Sequence, residues 1–78
     1  MWVKIDKDTY MQKVIGLKPI ESYTDPDGTQ PFSCGRPQMV TVWGIRGEEE
    51  NTPVVKCEQV KESRHDTEWQ TEYSEYKP

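Results

Sequence analysis

The chain has 78 residues, of which 32% are hydrophobic, and a formal net charge of −4. This length predicts a single small domain, residues 1–78, with little core to spare for a deep active-site cavity. The chain lacks the basic footprint that direct nucleic-acid binding requires, and no stretch approaches the roughly 18 consecutive apolar residues of a membrane span.

The first predicted elements are a short strand and a short helix. Residues 2–5 alternate between the two sides of an extended chain, which is typical of a strand. Asp6 is positioned to cap a helix that Gly16 would end. Because so short a helix is unstable alone, it must pack on a sheet. The apolar stripe predicted to do so consists of Tyr10, Met11, Val14 and Ile15.

An edge strand and a long loop are predicted next. Residues 18–23 favour an edge strand, because Pro19 is tolerated at the edge of a sheet but not inside it. Residues 24–37 include the turn signal Asp25-Pro26-Asp27-Gly28 and further prolines and glycines, which predicts an irregular loop. Loops of this length often carry function, so this loop is a candidate surface.

Three strands are predicted in the remainder of the chain. Residues 38–46 are apolar on both sides, which favours an interior position in the sheet. The charged turn 47–52 leads to a strand at about 54–62, where uneven apolar spacing indicates a bulge or an early strand end. The last strand is predicted from about residue 67 to residue 76.

Together these elements predict the α+β class. The expected architecture is an antiparallel sheet of four to five strands, with a C-terminal three-stranded meander and one short helix packed on one face. The other face of the sheet is expected to be largely solvated and polar, as antiparallel sheets allow.

The residues that could carry chemistry do not form a recognisable site. Cys34, Cys57 and His65 lack the paired spacing of a zinc site. The acidic turn that begins at Asp25 lacks the glycine and glutamate of a calcium loop, and a Cys57–His65 nucleophilic pair has no third residue to orient it. The sequence therefore predicts a protein that is not an enzyme, with no metal and no cofactor.

Cysteine usage bears on the compartment. Small secreted domains normally carry four or more cysteines paired as disulfides, whereas this chain has two. The N-terminal residues also lack the apolar region of a signal peptide. The expectation is a cytoplasmic protein with two reduced thiols, with a Cys34–Cys57 disulfide as the alternative.

The most informative feature is the acidic C-terminal half. Residues 1–47 hold six Lys or Arg and five Asp or Glu, whereas residues 48–78 hold four and nine, a net charge of −5. Glutamates that share strand parity would form a ribbon of negative charge that faces a basic partner, and aromatic residues are enriched at interface hot spots. The alternative is a solvated face of mixed charge, with the aromatic residues in the core. The candidate partner-binding residues are Glu58, Glu62, Glu68, Glu72, Trp69 and Tyr76.

These features favour a binding protein that masks a basic, nucleic-acid-binding surface of a larger partner, as an inhibitor or regulator. Phages and mobile elements encode small acidic proteins of this kind against host defence or transcription machinery, an analogy of composition. The alternative function is a small structural subunit that joins an assembly, or forms a homodimer, through an exposed edge strand.

Overall fold

A computed structural model describes residues 1–31 and 34–78. Its elements are β1 (Trp2–Ile5), α1 (Lys7–Lys13), β2 (Lys18–Asp25), β3 (Gln38–Ile45), β4 (Thr52–Val60) and β5 (Gln70–Tyr76). The strands of the described chain form one antiparallel sheet in the order β1-β5-β4-β3-β2. The α+β class, the edge position of β2 and the interior position of β3 are therefore confirmed. No helix in the described part of the chain has the length and apolar character needed to cross a membrane.

The helix begins as predicted. The Asp6 carboxylate accepts a hydrogen bond from the backbone N–H of Thr9 at 2.7 Å, which satisfies one of the free donors of the first turn. Hydrogen bonding by the Thr9 side chain, with a smaller contribution from this backbone N–H, holds the pKa of Asp6 below its ordinary value. Gly16 follows the helix with a φ of 83°, a left-handed conformation that glycine adopts without strain.

The predicted apolar stripe of the helix is wrong in part. Tyr10 is buried, but Met11 is 53% exposed and Ile15 is 79% exposed. The helix ends at Lys13, with Val14 as its C-cap, so Ile15 lies beyond its last turn. A helix of seven residues has only about two turns, so few of its side chains can pack on β4 and β5. Tyr10 is the buried one, and its ring contacts Tyr73 of β5.

Cross-strand pairing defines two faces of the sheet. Directly opposed residues of an antiparallel pair lie on the same face. Tyr73 is opposite Cys57, and Cys57 is opposite Thr41. The Tyr73 ring packs on Tyr10 with a centroid distance of 4.6 Å, so this side is the helix face. The opposite side, which we call the groove face, carries Trp2, Lys4, Glu21, Tyr23, Val40, Val42, Lys56, Glu58, Glu72, Ser74 and Tyr76.

The expectation of a largely solvated, polar second face is wrong in part. Val40 and Val42 lie on the groove face and are only 3% and 7% exposed. Val55, on the helix face, is fully buried. Because β3 is flanked on both sides by paired strands with long side chains, its two valines are shielded without a second layer. The apolar core therefore occupies both faces of the sheet.

Two shifts in register bend the sheet at the same place. The β2–β3 ladder shifts between Pro19 and Glu21, and the β3–β4 ladder shifts between Trp43 and Gly44. Such irregularities bend a strand and increase its twist. Both shifts lie near the end of β3. Residues from the two edge strands, β1 and β2, line a common groove on the groove face.

The loop after β2 is organised by Asp25. Its carboxylate is 3% exposed and accepts hydrogen bonds from the backbone N–H groups of Thr29 and Gln30, each at 3.0 Å. Asp25 is the last residue of β2, so the strand takes two residues from the predicted loop 24–37. Residues 32–33 of that predicted loop lie outside the described residues.

The C-terminal strands differ in extent from the predicted ones. β4 spans Thr52–Val60 rather than 54–62, and β5 begins at Gln70 rather than at residue 67. The segment 61–69 between them leaves the ladder, and its Lys61 N–H donates to the carbonyl of Pro37 at 3.0 Å. This shift decides which glutamates lie on the sheet.

We expect replacement of Gly44 by alanine to be strongly destabilising. A Cβ on Gly44 would overlap the Thr52 carbonyl oxygen and lie 2.9 Å from Ile20 Cδ1. Since Gly44 is paired on both sides, relief would require moving the ladder, and we expect a loss of about 3 kcal/mol or more in the free energy of unfolding. Urea denaturation measures this loss.

The matched control for that substitution is Gly16→Ala. No atom lies within 4 Å of a Cβ at Gly16, so the substitution strains only the positive φ. The expected cost is about 1 kcal/mol. Equal losses for the two variants would contradict the close packing at Gly44.

Candidate partner-binding face

A groove crosses one end of the groove face. Its volume of about 310 Å³ lies near the lower limit of pockets that hold small-molecule ligands, about 300 Å³. A space of this size suits one or two side chains of a binding partner better than a large cofactor. The groove is lined by Trp2, Ile20, Glu21, Val42, Asn51, Pro53 and Tyr76.

Two aromatic rings form one wall of the groove. Trp2 of β1 and Tyr76 of β5 are directly opposed in the ladder. Their ring centroids are 5.3 Å apart with an interplanar angle of 72°, an edge-to-face arrangement that is favourable for aromatic pairs. Tyr76 remains 41% exposed, so the wall is open to solvent.

A lysine of the protein itself lies against this wall. Lys56 Nζ is 4.6 Å from the centroid of the Trp2 ring and 2.9 Å from Glu58 Oε1. The ammonium group is therefore held between an aromatic ring and a carboxylate, which is the usual environment of a recognised cation.

Two of the predicted glutamates meet on this face. Glu58 and Glu72 are directly opposed across β4 and β5, an arrangement in which like charges destabilise a sheet. Each has one basic neighbour: Lys56 at 2.9 Å from Glu58 and Lys4 at 3.7 Å from Glu72. The pair therefore forms a local concentration of negative charge that nearby lysines neutralise in part.

The other two predicted glutamates do not belong to the same ribbon. Glu62 and Glu68 lie in the segment 61–69, outside both strands. Glu62 is 3.7 Å from Arg36, and both side chains are largely exposed. The predicted four-glutamate ribbon is thus wrong in part, because β4 ends at Val60 and the chain turns before β5 begins.

The two predicted aromatic anchors are also separated. Tyr76 lies in the groove, whereas Trp69 precedes β5 and is half-buried. Lys61 Nζ lies 4.5 Å from the centroid of the Trp69 ring. The structure therefore brings together Glu58, Glu72 and Tyr76, and places Glu62, Glu68 and Trp69 in the connecting segment.

Sequence reasoning missed Trp2 and Glu21 as members of this face. The alternation in residues 2–5 predicted the strand β1 but not the strand with which it pairs. Trp2 reaches the groove only because β1 pairs with β5. Glu21 joins it through the register shift after Pro19. No local signal in the sequence specifies either pairing.

The helix face offers a different environment. Burial raises the pKa of the Tyr10 phenol, and the neighbouring Cys57 raises it further. The indole N–H of Trp43 faces the same phenol and partly offsets this rise, although its geometry falls short of a hydrogen bond. Burial also raises the pKa of Cys57, with a smaller contribution from Glu58. These groups therefore stay neutral around physiological pH.

The residues considered for metal binding or catalysis do not form a site in the described structure. Cys34 and Cys57 are both free thiols. His65 is exposed in the turn after β4, whereas Cys57 lies on the helix face with Tyr73 and Thr41 as its strand partners. Residues 1–31 and 34–78 contain no group of three or more His, Cys, Asp or Glu that could hold a metal ion.

Comparison with known protein families, curated proteins and solved structures finds no match to this chain.

We expect the stability of the fold to fall at alkaline pH. The folded-state pKa values of Tyr10 and Cys57 lie above their ordinary values, so the native state holds these protons more tightly than the unfolded state. Their contribution is complete at neutral pH and is lost as the pH rises from about 9 upward. Urea denaturation between pH 7 and pH 11 measures it, with Tyr10→Phe as the variant that weakens the dependence. A Tyr10→Phe variant with an unchanged alkaline profile would contradict this origin.

We expect the two cysteines to alkylate at different rates. Cys34 is exposed, whereas Cys57 is half-buried and has a raised pKa. Because the thiolate is the reactive form, Cys57 should react with iodoacetamide at least about tenfold more slowly near pH 7.5. Mass spectrometry of peptides after timed quenching measures both rates. Alkylation of Cys57 faster than that of Cys34 would contradict this expectation and would support the hypothesis of a catalytic Cys57–His65 pair.

Proposed function

We propose that the protein is a non-enzymatic binding module that covers a basic surface of a larger partner with its groove face. The observation that carries this proposal is the joint presence, on one concave face, of an aromatic groove and the opposed carboxylates Glu58 and Glu72. Opposed like charges reduce the stability of a sheet. A basic partner that binds over Glu58 and Glu72 would reduce the repulsion between the two carboxylates.

The exposed area of the chain supports a role in binding. The accessible surface is 5765 Å² for a mass of 9.2 kDa, whereas a monomeric protein of this mass exposes about 4,900 Å². The excess, about 800 Å², is similar to what one partner buries in a standard interface. The groove face is the part of the sheet on which helix α1 does not pack.

Two features weigh against the alternative of assembly through an edge strand. β1 has four residues and carries Lys4, and β2 carries Pro19 and a register shift. Short length, charge, proline and bulges are the devices that keep edge strands from pairing with other chains. Binding through a face is therefore the better-supported mode.

The mechanism that follows is competitive occlusion. Carboxylates of the groove face pair with Lys and Arg that the partner would otherwise use on phosphates, and the aromatic wall supplies apolar contact area. The partner class is then a nucleic-acid-handling protein, and the activity is that of an inhibitor or regulator. Salt should weaken the complex mainly by slowing association.

We expect the double variant Glu58→Gln/Glu72→Gln to lose the partner. Capture from lysate of the source cell is compared for this variant, the wild type and Glu48→Gln/Glu49→Gln, which removes the same charge from the exposed turn before β4. Only the groove-face variant should lose the partner, and raising salt from about 50 to about 200 mM should weaken wild-type binding at least tenfold. Equal capture by both variants, or binding that salt does not weaken, would contradict the proposal.

Thermal denaturation of the same variants tests whether loss of binding results from unfolding. Removing opposed charges should leave the groove-face variant at least as stable as the wild type. Loss of binding without loss of stability then assigns the effect to the surface rather than to unfolding.

A further inference from the structure

We infer that the groove binds an arginine side chain of the partner. This inference rests on the proposed function and narrows its partner from a basic surface to one anchoring residue type. The occupant is inferred from the chemistry of the groove walls, which combine an apolar floor, an aromatic side and a free carboxylate.

The floor and the aromatic side suit the two parts of an arginine. Val42 and Pro53 line the floor and offer apolar surface to the three-carbon stem, which long charged side chains bury along apolar surface. Trp2 and Tyr76 form the aromatic side. The planar guanidinium stacks on aromatic rings and is less strongly hydrated than an ammonium group, so it enters such a groove more readily.

Glu21 supplies the complementary charge. It lines the groove from the opposite edge of the sheet, is exposed, and has no ion-pair partner within residues 1–31 and 34–78. Glu58 and Glu72, in contrast, each have a lysine within 4 Å. Glu21 is therefore the carboxylate of this face that is free to receive a cation from outside.

Lys56 shows that this wall holds a cation within the protein itself. Its ammonium group lies 4.6 Å from the Trp2 ring centroid and 2.9 Å from Glu58. A ring and a carboxylate therefore already bind one positive charge on this face. An arginine in the groove would repeat that arrangement, with Tyr76 as the ring and Glu21 as the carboxylate.

The test uses the full chain, labelled with ¹⁵N, and a short peptide in which arginine alternates with serine. Two control peptides replace arginine by citrulline, its uncharged counterpart of the same shape, or by lysine. The indole N–H signal of Trp2 and the amide signal of Val42 report on the groove, whereas the indole N–H of Trp43 faces Tyr10 on the helix face and serves as the internal control. We expect the arginine peptide to shift the Trp2 and Val42 signals, the lysine peptide to do so more weakly, and the citrulline peptide to leave them unchanged.

Two charge-matched variants then locate the contact. Glu21→Gln should weaken binding of the arginine peptide about three- to fivefold, the upper end of what an exposed ion pair contributes. Glu68→Gln removes the same charge in the segment 61–69 and should change binding by less than about 1.5-fold, because salt screens distant charges. Both positions are exposed, so neither variant is expected to unfold.

The outcomes separate this inference from the function on which it rests. Equal effects of the arginine and citrulline peptides, or of the two variants, would overturn the arginine site. Shifts at Glu58 and Glu72 without a shift at Trp2 would overturn the groove as the site while leaving the basic-partner proposal in place. If no signal shifts, and the Glu58→Gln/Glu72→Gln variant captures the partner as well as the wild type does, both the arginine site and the basic-partner proposal are overturned.

Discussion

The pairing of β1 with β5 is the constraint on which the rest of the molecule depends. It joins the first and last strands of the described chain in one antiparallel ladder, with Trp2 opposite Tyr76 and the backbones of Met1 and Lys77 bonded to each other. Because β1 then lies at one edge and β2 at the other, the intervening helix must cross one face of the sheet. That crossing covers Tyr73 and Cys57 and leaves the opposite face without a helix.

The uncovered face carries two irregularities in strand pairing next to the candidate site. The register shifts at Pro19–Glu21 and Trp43–Gly44 lie side by side across β3. Gly44 permits this bend, because any side chain there would meet the backbone of β4. Val42 lies beside this bend, is 7% exposed, and lines the groove together with residues of both edge strands. The same part of the sheet therefore holds a core residue and the candidate site.

Charge on the groove face is balanced rather than simply acidic. The strand parity of four glutamates in the acidic C-terminal half predicted a negative ribbon, but Lys4 and Lys56 pair with the two glutamates that lie on the strands. The Lys4–Glu72 pair is exposed, and exposed pairs contribute little to stability, typically about 0–1 kcal/mol. Within residues 1–31 and 34–78, no lysine or arginine forms an ion pair with Glu21 on the same face.

The sequence by itself determined the local structure of this protein. Alternation specified β1, the carboxylate of Asp6 specified the start of the helix, and Pro19 marked an edge strand, since each depends on residues close together in the chain. Tertiary structure decided what depends on distant residues. Strand order and register placed Trp2 and Glu21 in one groove. The segment 61–69 lies outside the strands, so Glu62 is not part of the ladder. Strand ends and register follow from which strands pair and how their side chains pack, and those contacts join residues far apart in the chain.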